Sequence, residues 1–352
     1  MRALLLSALA FAAGFLGWRV AAPAPPLSRA AAPVAASAPE APPLPEAAEA
    51  RELRRRLALL ETVPLRDLVR YGNEPLGDRM RRARGLAESE RRETLRDWAR
   101  FAVYDRARSQ EMLALVRVEE DPEILSWLAE MIDLACLMKM NLDATYTDEE
   151  KRGVFPLALS GEPPERRVAA LRVIGGDRSE GLPSEVQALL SDVLRGDPEP
   201  AVVAVAAEEI EQRYAPDTVE ALLDAWRRLP SGEPRQRVAR AYAKWVKWAD
   251  LKQRFAEARG PLEHDEWARA WAAHLSFFEE GWDKDLPSIY GGTGDRDVRR
   301  SLFLALTNVH PWRRDLMREV AGLEADADLK DRYQRVLASE PTKIDAYATL
   351  YK

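Results

Sequence analysis

Apolar residues in this chain return at steps of three and four, and the blocks in which they do so share an opening. RGDPEPAVVAVAAEEI (195–210) starts with acidic and proline residues and passes into an alanine and valine run. Loose copies stand at SGEPPERRVAALRVI (160–174), SGEPRQRVARAYAKW (231–245) and TGDRDVRRSLFLAL (293–306). In the first three in chain order a proline precedes a valine by four residues: Pro164 and Val168, Pro198 and Val202, Pro234 and Val238. These pairs lie 34 and 36 residues apart; Val298 follows Val238 by 60, and EADADLKDRYQRVL places Leu329 another 31 on. A period near 35 with one interval long by about 25 predicts stacked helical hairpins interrupted by an insertion. The acid or glycine and the proline suit the turn and helix start, and the stripe that follows, such as Val202 and Ala206, faces the neighbouring unit.

The chain divides on this pattern. Residues 1–20 hold an uncharged, mostly apolar run from Ala3 to Trp18, which predicts a signal anchor or transmembrane helix. Pro23 follows Ala21-Ala22 and disfavours cleavage, so an uncleaved anchor is expected, with the folded body translocated; the alternatives are a cleaved signal with a soluble periplasmic body, or a cytoplasmic body. Residues 21–45, rich in proline and alanine, predict a disordered linker. Residues 46–120 form a basic helical region that opens on a helix at 46–62 with Leu53, Leu57 and Leu60 on one stripe. Helical repeats are expected over 121–248, the insertion over 249–292, and further repeats with a cap over 293–352.

Composition supports an all-α chain with a sizeable core: of 352 residues 47% are hydrophobic and 31% charged, and helix formers dominate. The single cysteine, Cys136, lies in an apolar run, which excludes an internal disulfide framework and predicts a buried thiol. Charge is uneven. Residues 51–118 carry 17 Lys and Arg against 11 Asp and Glu, whereas 119–352 carry 32 against 44. Arg54, Arg55, Arg56, Arg79, Arg81, Arg82 and Arg84 form a candidate basic patch for anionic lipid or another acidic surface. A net charge of −6 and the lack of a nucleic-acid-binding motif exclude nucleic acid as an expected partner.

The acidic turn followed by valine, as in Asp197 to Val202, and the paired Val298-Arg299 resemble the HEAT-repeat family. Val203 departs from that pattern, in which a basic residue often follows the valine, and Asp295 stands only three residues before Val298. The resemblance covers about 155–248 and 293–340. It implies an α-solenoid of antiparallel helix hairpins used as a protein-binding scaffold, and no particular activity.

Five of the ten tryptophans fall between 245 and 282. Trp267, Trp271, Leu275 and Phe278 fall on one helical stripe and are expected in the core. Trp248 lies off its stripe and Trp282 sits in a polar segment, so these two are the candidate partner-binding residues. EHDEW at 263–267 gathers Glu263, His264, Asp265 and Glu266, with His274 nearby, but none of the usual zinc spacings occurs, and no metal or cofactor is expected. YGGTGDRD (290–297) lacks the lysine of a phosphate cradle and reads as a turn. The expected function is a non-catalytic scaffold, tethered to a bacterial inner membrane with its body periplasmic, that binds a protein partner. The alternative is an all-helical envelope enzyme acting on glycan or peptide, with carboxylates such as Glu263, Asp265 and Glu266 converging in an aromatic pocket.

Overall fold

A computed structural model describes residues 75–138, 146–176, 182–213, 215–278, 281–307, 309, 313–338 and 350. The expected anchor, the linker, the helix at 46–62 and Arg54, Arg55 and Arg56 lie outside the described residues. Among the described residues no strand occurs. The α-helices are α1 (Leu76–Ala83), α2 (Glu88–Tyr104), α3 (Arg106–Val118), α4 (Pro122–Met138), α5 (Asp148–Arg152), α6 (Pro164–Gly175), α7 (Ser184–Gly196) and α8 (Pro200–Glu211). They continue with α9 (Val219–Arg228), α10 (Glu233–Trp245), α11 (Trp248–Glu257), α12 (Pro261–His274), α13 (Leu286–Gly292), α14 (Arg296–Leu306), α15 (Arg314–Leu323) and α16 (Ala327–Ala338). No helix among the described residues is long and apolar enough to cross a membrane.

Helices pack mostly on the next but one in sequence. α2, α4, α6, α8, α10, α12 and α14 form one such series, each against its successor, while α7 packs on α9 and α13 on α15 in the same way. Side chains explain the closeness of the central contacts: Ala169, Ala170, Val202, Val203, Ala206, Ala207, Ala239 and Ala243 are all buried. Small side chains let neighbouring backbones approach, and Gly175 and Gly176 at the end of α6 are needed for that approach. A Cβ at Gly175 would collide with the Glu209 carboxylate, and one at Gly176 with the Cys136 sulfur. Cys136 itself is buried.

The stretch 249–292 corrects the expectation of an insertion. α10 packs on α12 and α12 on α14, so the segment continues the series. The first helices of successive pairs begin at Pro164, Pro200, Glu233, Pro261, Arg296 and Ala327, never far from the ~35-residue period of helical repeats. The sequence signal failed because Asp265, not valine, stands four residues after Pro261.

The acidic turns have a double use. Asp197 accepts from the Glu199 backbone N–H at 2.8 Å, Asp295 from Asp297 at 2.7 Å and Asp326 from Asp328 at 3.0 Å, satisfying donors at helix starts that have no intrahelical partner. Each acid also meets an arginine from the preceding repeat. Arg167 and Asp197 form a buried pair, Arg269 Nη2 lies 2.8 Å from Asp295 Oδ2, and Arg296 Nε lies 2.9 Å from Asp326 Oδ2. Asp265 reaches forward instead and accepts from the backbone N–H groups of Gly294 at 3.0 Å and Asp295 at 2.9 Å. At Asp295 and Asp326 the opening is thus a cap and a staple in one, whereas α6, α8 and α10 begin without a side-chain cap.

Candidate functional site

Where α9, α10, α11 and α12 bring their ends together, a cavity of about 420 Å³ opens. Trp226 and Arg227 come from the end of α9, Arg235 from the first turn of α10, Arg254 and Glu257 from the end of α11, and Arg259, Glu263 and Trp267 from the turn into α12 and its first two turns. Pro234 in the first turn of α10 and Pro261 at the start of α12 fix where those helices begin, since neither needs a backbone N–H there. Gly232 and Gly260, at φ 152° and 149°, make the turns that precede them in a conformation other residues rarely adopt.

Arginine and tryptophan organise the cavity. The Arg235 guanidinium lies 4.0 Å from the Trp226 ring centroid, a cation–π contact, and Trp226 meets Trp267 at 4.5 Å between centroids. Arg235 Nη2 donates to Glu263 at 2.9 Å, and its Nε lies 3.1 Å from the Glu266 carboxylate. The Arg259 backbone N–H also donates to Glu263, at 2.9 Å, and this bond, with the Arg235 contact, outweighs partial burial and holds the Glu263 carboxyl below its ordinary range. Burial pushes the Glu266 carboxyl the other way, above its ordinary range, against the opposing charge of Arg235. Arg254 Nη1 lies 2.7 Å from Glu257.

Two of the three carboxylates anticipated as a possible catalytic group therefore meet at one arginine, and the third does not. Asp265 is spent on the Gly294 and Asp295 backbone. Glu266 is 3% exposed and does not line the cavity, so a ligand there would meet the arginines before it met that carboxyl. Such an arrangement suits holding an anion more than moving a proton.

The remaining anticipated residues fall elsewhere. Trp282, expected to be exposed, is 4% exposed and set edge-on to Trp271 at 6.1 Å. Trp248 is half-buried, stacks on Trp271 at 4.7 Å and donates its Nε1–H to Asp285 at 3.0 Å, so it too belongs to the packing. Both misplacements share a cause: a residue off its own helix's stripe or in a polar turn is still enclosed when the next helix folds over it. In the basic patch, Arg79 is buried with its guanidinium 5.8 Å from the Trp98 ring. Arg81 pairs with Asp78 at 3.0 Å and Glu119 at 3.3 Å, and Arg84 pairs with Asp121 and with Glu123 at 3.3 Å. Arg82 is exposed. Much of the expected excess charge is thus spent within the fold.

His274 is buried at the end of α12, its Nε2 3.3 Å from Glu211 on α8. Burial keeps its imidazole below the ordinary histidine range. Burial also raises the Glu211 carboxyl, but His274 and Arg240 outweigh that and hold it down. His264 is half-buried against Phe255, with centroids 5.3 Å apart. Among the described residues no group of His, Cys, Asp and Glu could hold a metal ion.

Sequence reasoning missed the arginines of the cavity. Arg227, Arg235, Arg254 and Arg259 lie at the ends of consecutive helices beside tryptophans, a signal that becomes readable only once 249–292 is placed in register with the repeats. No known family model, curated protein or solved structure matches the chain.

Proposed function

We propose that this chain is a HEAT-like α-solenoid that holds a protein partner and performs no chemistry of its own, tethered by its N-terminal apolar segment to a bacterial inner membrane with the body on the periplasmic side. The supporting observation is the unbroken series from α2 to α14, in which each helix packs on the next but one. Such a stack repeats its loops and helix edges at regular intervals and offers an extended surface to a partner, as helical-repeat scaffolds do. The acidic turns with Val202 and with Val298-Arg299 support the HEAT-like assignment. The apolar run Ala3 to Trp18 and the proline-rich stretch after it support the tether.

Two measurements test this. A reporter active only outside the cytoplasm, fused after Lys352, gives signal, and the chain stays with membranes through high salt; recovery in the soluble fraction would sink the tether. Proximity labelling from the anchored chain, compared between the wild type and Ala206→Arg, yields a partner set that the variant loses. An identical set from both would sink the scaffold.

The second reading, an envelope enzyme, draws on the meeting of Glu263 and Glu266 at Arg235 beside Trp226 and Trp267. Under it, Glu263→Gln abolishes turnover of a glycan or peptide while leaving the thermal midpoint in place.

A further inference from the structure

We propose that the cavity between α9 and α12 receives an acidic side chain from an extended segment of the partner. Its carboxylate sits on Arg254 and Arg259, and a neighbouring apolar residue lies against Trp226 and Trp267. The proposal rests on the scaffold reading and names what the scaffold recognises.

The arginines are not equivalent. Arg235 is committed, because Glu263 and the buried Glu266 hold it from two sides. Arg254 is 8% exposed and lines the cavity, yet its paired carboxylate belongs to Glu257, three residues on in the same helix and 48% exposed in its side chain. An exposed helical neighbour is a weak and replaceable partner for a guanidinium. Glu257 thus occupies the place of an incoming carboxylate and can swing into solvent when one arrives. Arg259 adds an exposed guanidinium at the same wall, and Arg227 another, whose carboxylate contact, Asp224, stands 3.8 Å away outside the lining.

Charge and size set the ligand class. Glu263 and Glu266 match Arg235, and Asp224 stands by Arg227, so once Glu257 turns into solvent the guanidiniums left to face the cavity are those of Arg254 and Arg259. That pair suits a single carboxylate. A phosphate dianion would be repelled by the same carboxylates, and a polyanion such as nucleic acid by the net acidity of residues 119–352. The cavity volume is at the lower end of that for small-ligand pockets and suits about two side chains, one charged and one apolar. Planar guanidinium and carboxylate groups then match in geometry, and the tryptophan faces supply the apolar contact.

The test uses the full chain in detergent micelles and ligand-observed NMR titration with acetyl-Leu-Glu-Leu-amide. Its binding is about tenfold tighter than that of the Gln or Lys analogue, the scale of a charge-assisted hydrogen bond. Arg254→Gln and Arg259→Gln each weaken it about tenfold, Glu257→Gln strengthens it several-fold by removing the competitor, and the remote Arg92→Gln changes nothing. If Arg254→Gln does not fold, Arg259→Gln carries the same test from the exposed side. Equal binding of the Gln analogue, or an unchanged affinity in Glu257→Gln, overturns the proposal. Inorganic phosphate binding as tightly as the peptide overturns the peptide assignment. Partner labelling lost in Ala206→Arg but kept in Arg254→Gln refutes the cavity while leaving the scaffold; labelling kept in both refutes the scaffold itself.

Discussion

The stack α6, α8 and the stack α10, α12 are built on the same plan with opposite materials. On α6 and α8 small residues (Ala169, Ala170, Val202, Val203, Ala206 and Ala207) are buried beside Leu171, Ile174 and Ile210, with no ring among them. Around α12 they are large: Trp226, Tyr242, Trp267, Trp271 and Trp282. Small residues allow backbones to close up, and the remaining polar groups then interlock in the gap, as Arg172 does with Asp133 at 3.5 Å and Glu209 at 2.7 Å. The rings lie beside small residues such as Ala239, Ala243, Ala268 and Ala270, so α10 and α12 still pack closely, and where the ring stack ends at Trp226 and Trp267 the space left over is lined by arginine. One region is therefore intolerant of added atoms and the other of removed ones, and beside the rings of the second stands an arginine-lined cavity.

The largest expected effect tests the first half of that contrast. Ala206 is completely buried, so Ala206→Arg overpacks the contact and buries an unpaired charge, at a cost of about 4 kcal/mol or more. Thermal unfolding followed by circular dichroism reads the loss, and nearest-neighbour coupling spreads it to flanking repeats. A harmless Ala206→Arg would mean that 197–210 is not a packed repeat helix.

The second half predicts a somewhat smaller loss on deletion. Trp282→Ala removes a ring packed on Trp271 and leaves a cavity, costing about 3 kcal/mol by the same measurement. Were the midpoint to stay put, the ring would be a surface residue and the aromatic stack shorter than described. This outcome reverses what the polar surroundings of Trp282 suggest when the sequence is read alone.

A third measurement addresses the seam between the regions, where His274 of α12 faces Glu211 of α8 and Arg240 and Lys244 of α10. Burial lowers the His274 pKa on folding, so the folded state binds its proton at lower pH than the unfolded chain, whose reference is 6.5. The stabilisation is full above that value and fades as pH falls through it towards the folded value. The Glu211 carboxyl, also held down, adds a further loss below its reference of 4.5. His274→Gln flattens the fall in thermal midpoint between neutral pH and pH about 5.5, whereas His264→Gln flattens it less, because His264 is only partly buried. An unchanged slope in His274→Gln would remove the seam from the account.

The smallest effect serves as a baseline outside both regions. Arg84→Gln, at an exposed pair with Asp121 and Glu123, shifts stability by no more than about 0.5 kcal/mol in the same thermal scans. A larger shift would show that the exposed turns contribute more than either stack implies.

Much of the fold was legible because helix packing depends on periodicity, and Val202, Ala206 and Ile210 display theirs openly. The prolines used as markers do not occupy equivalent places: Pro164 opens α6, Pro198 stands two residues before α8, and Pro234 is the second residue of α10. The cavity was not legible. Arg235, Arg254 and Arg259 are ordinary helix and turn arginines in sequence, and only the closure of three turns on one another gives them a common wall. Trp282 was misread for the same reason: local polarity reports the neighbours in sequence, whereas its burial is set by Trp271 and by Arg313, whose guanidinium lies 6.0 Å from its ring.

The turn staples give the chain a polarity. In Arg167 with Asp197, Arg269 with Asp295 and Arg296 with Asp326, the cation always comes first and its acid one repeat later. Cutting repeats away from the N-terminal side leaves behind an acid that still shapes the turn into its own helix, as Asp197 does through the Glu199 N–H. Cutting from the C-terminal side strands the cation, and at Arg167 it does so in the interior. A chain begun at Asp197 in turn strands the buried Glu209 by removing Arg172, so each cut leaves one charge to be neutralised: Arg167→Gln raises the thermal midpoint of the chain ended before Asp197, and Glu209→Gln that of the chain begun there.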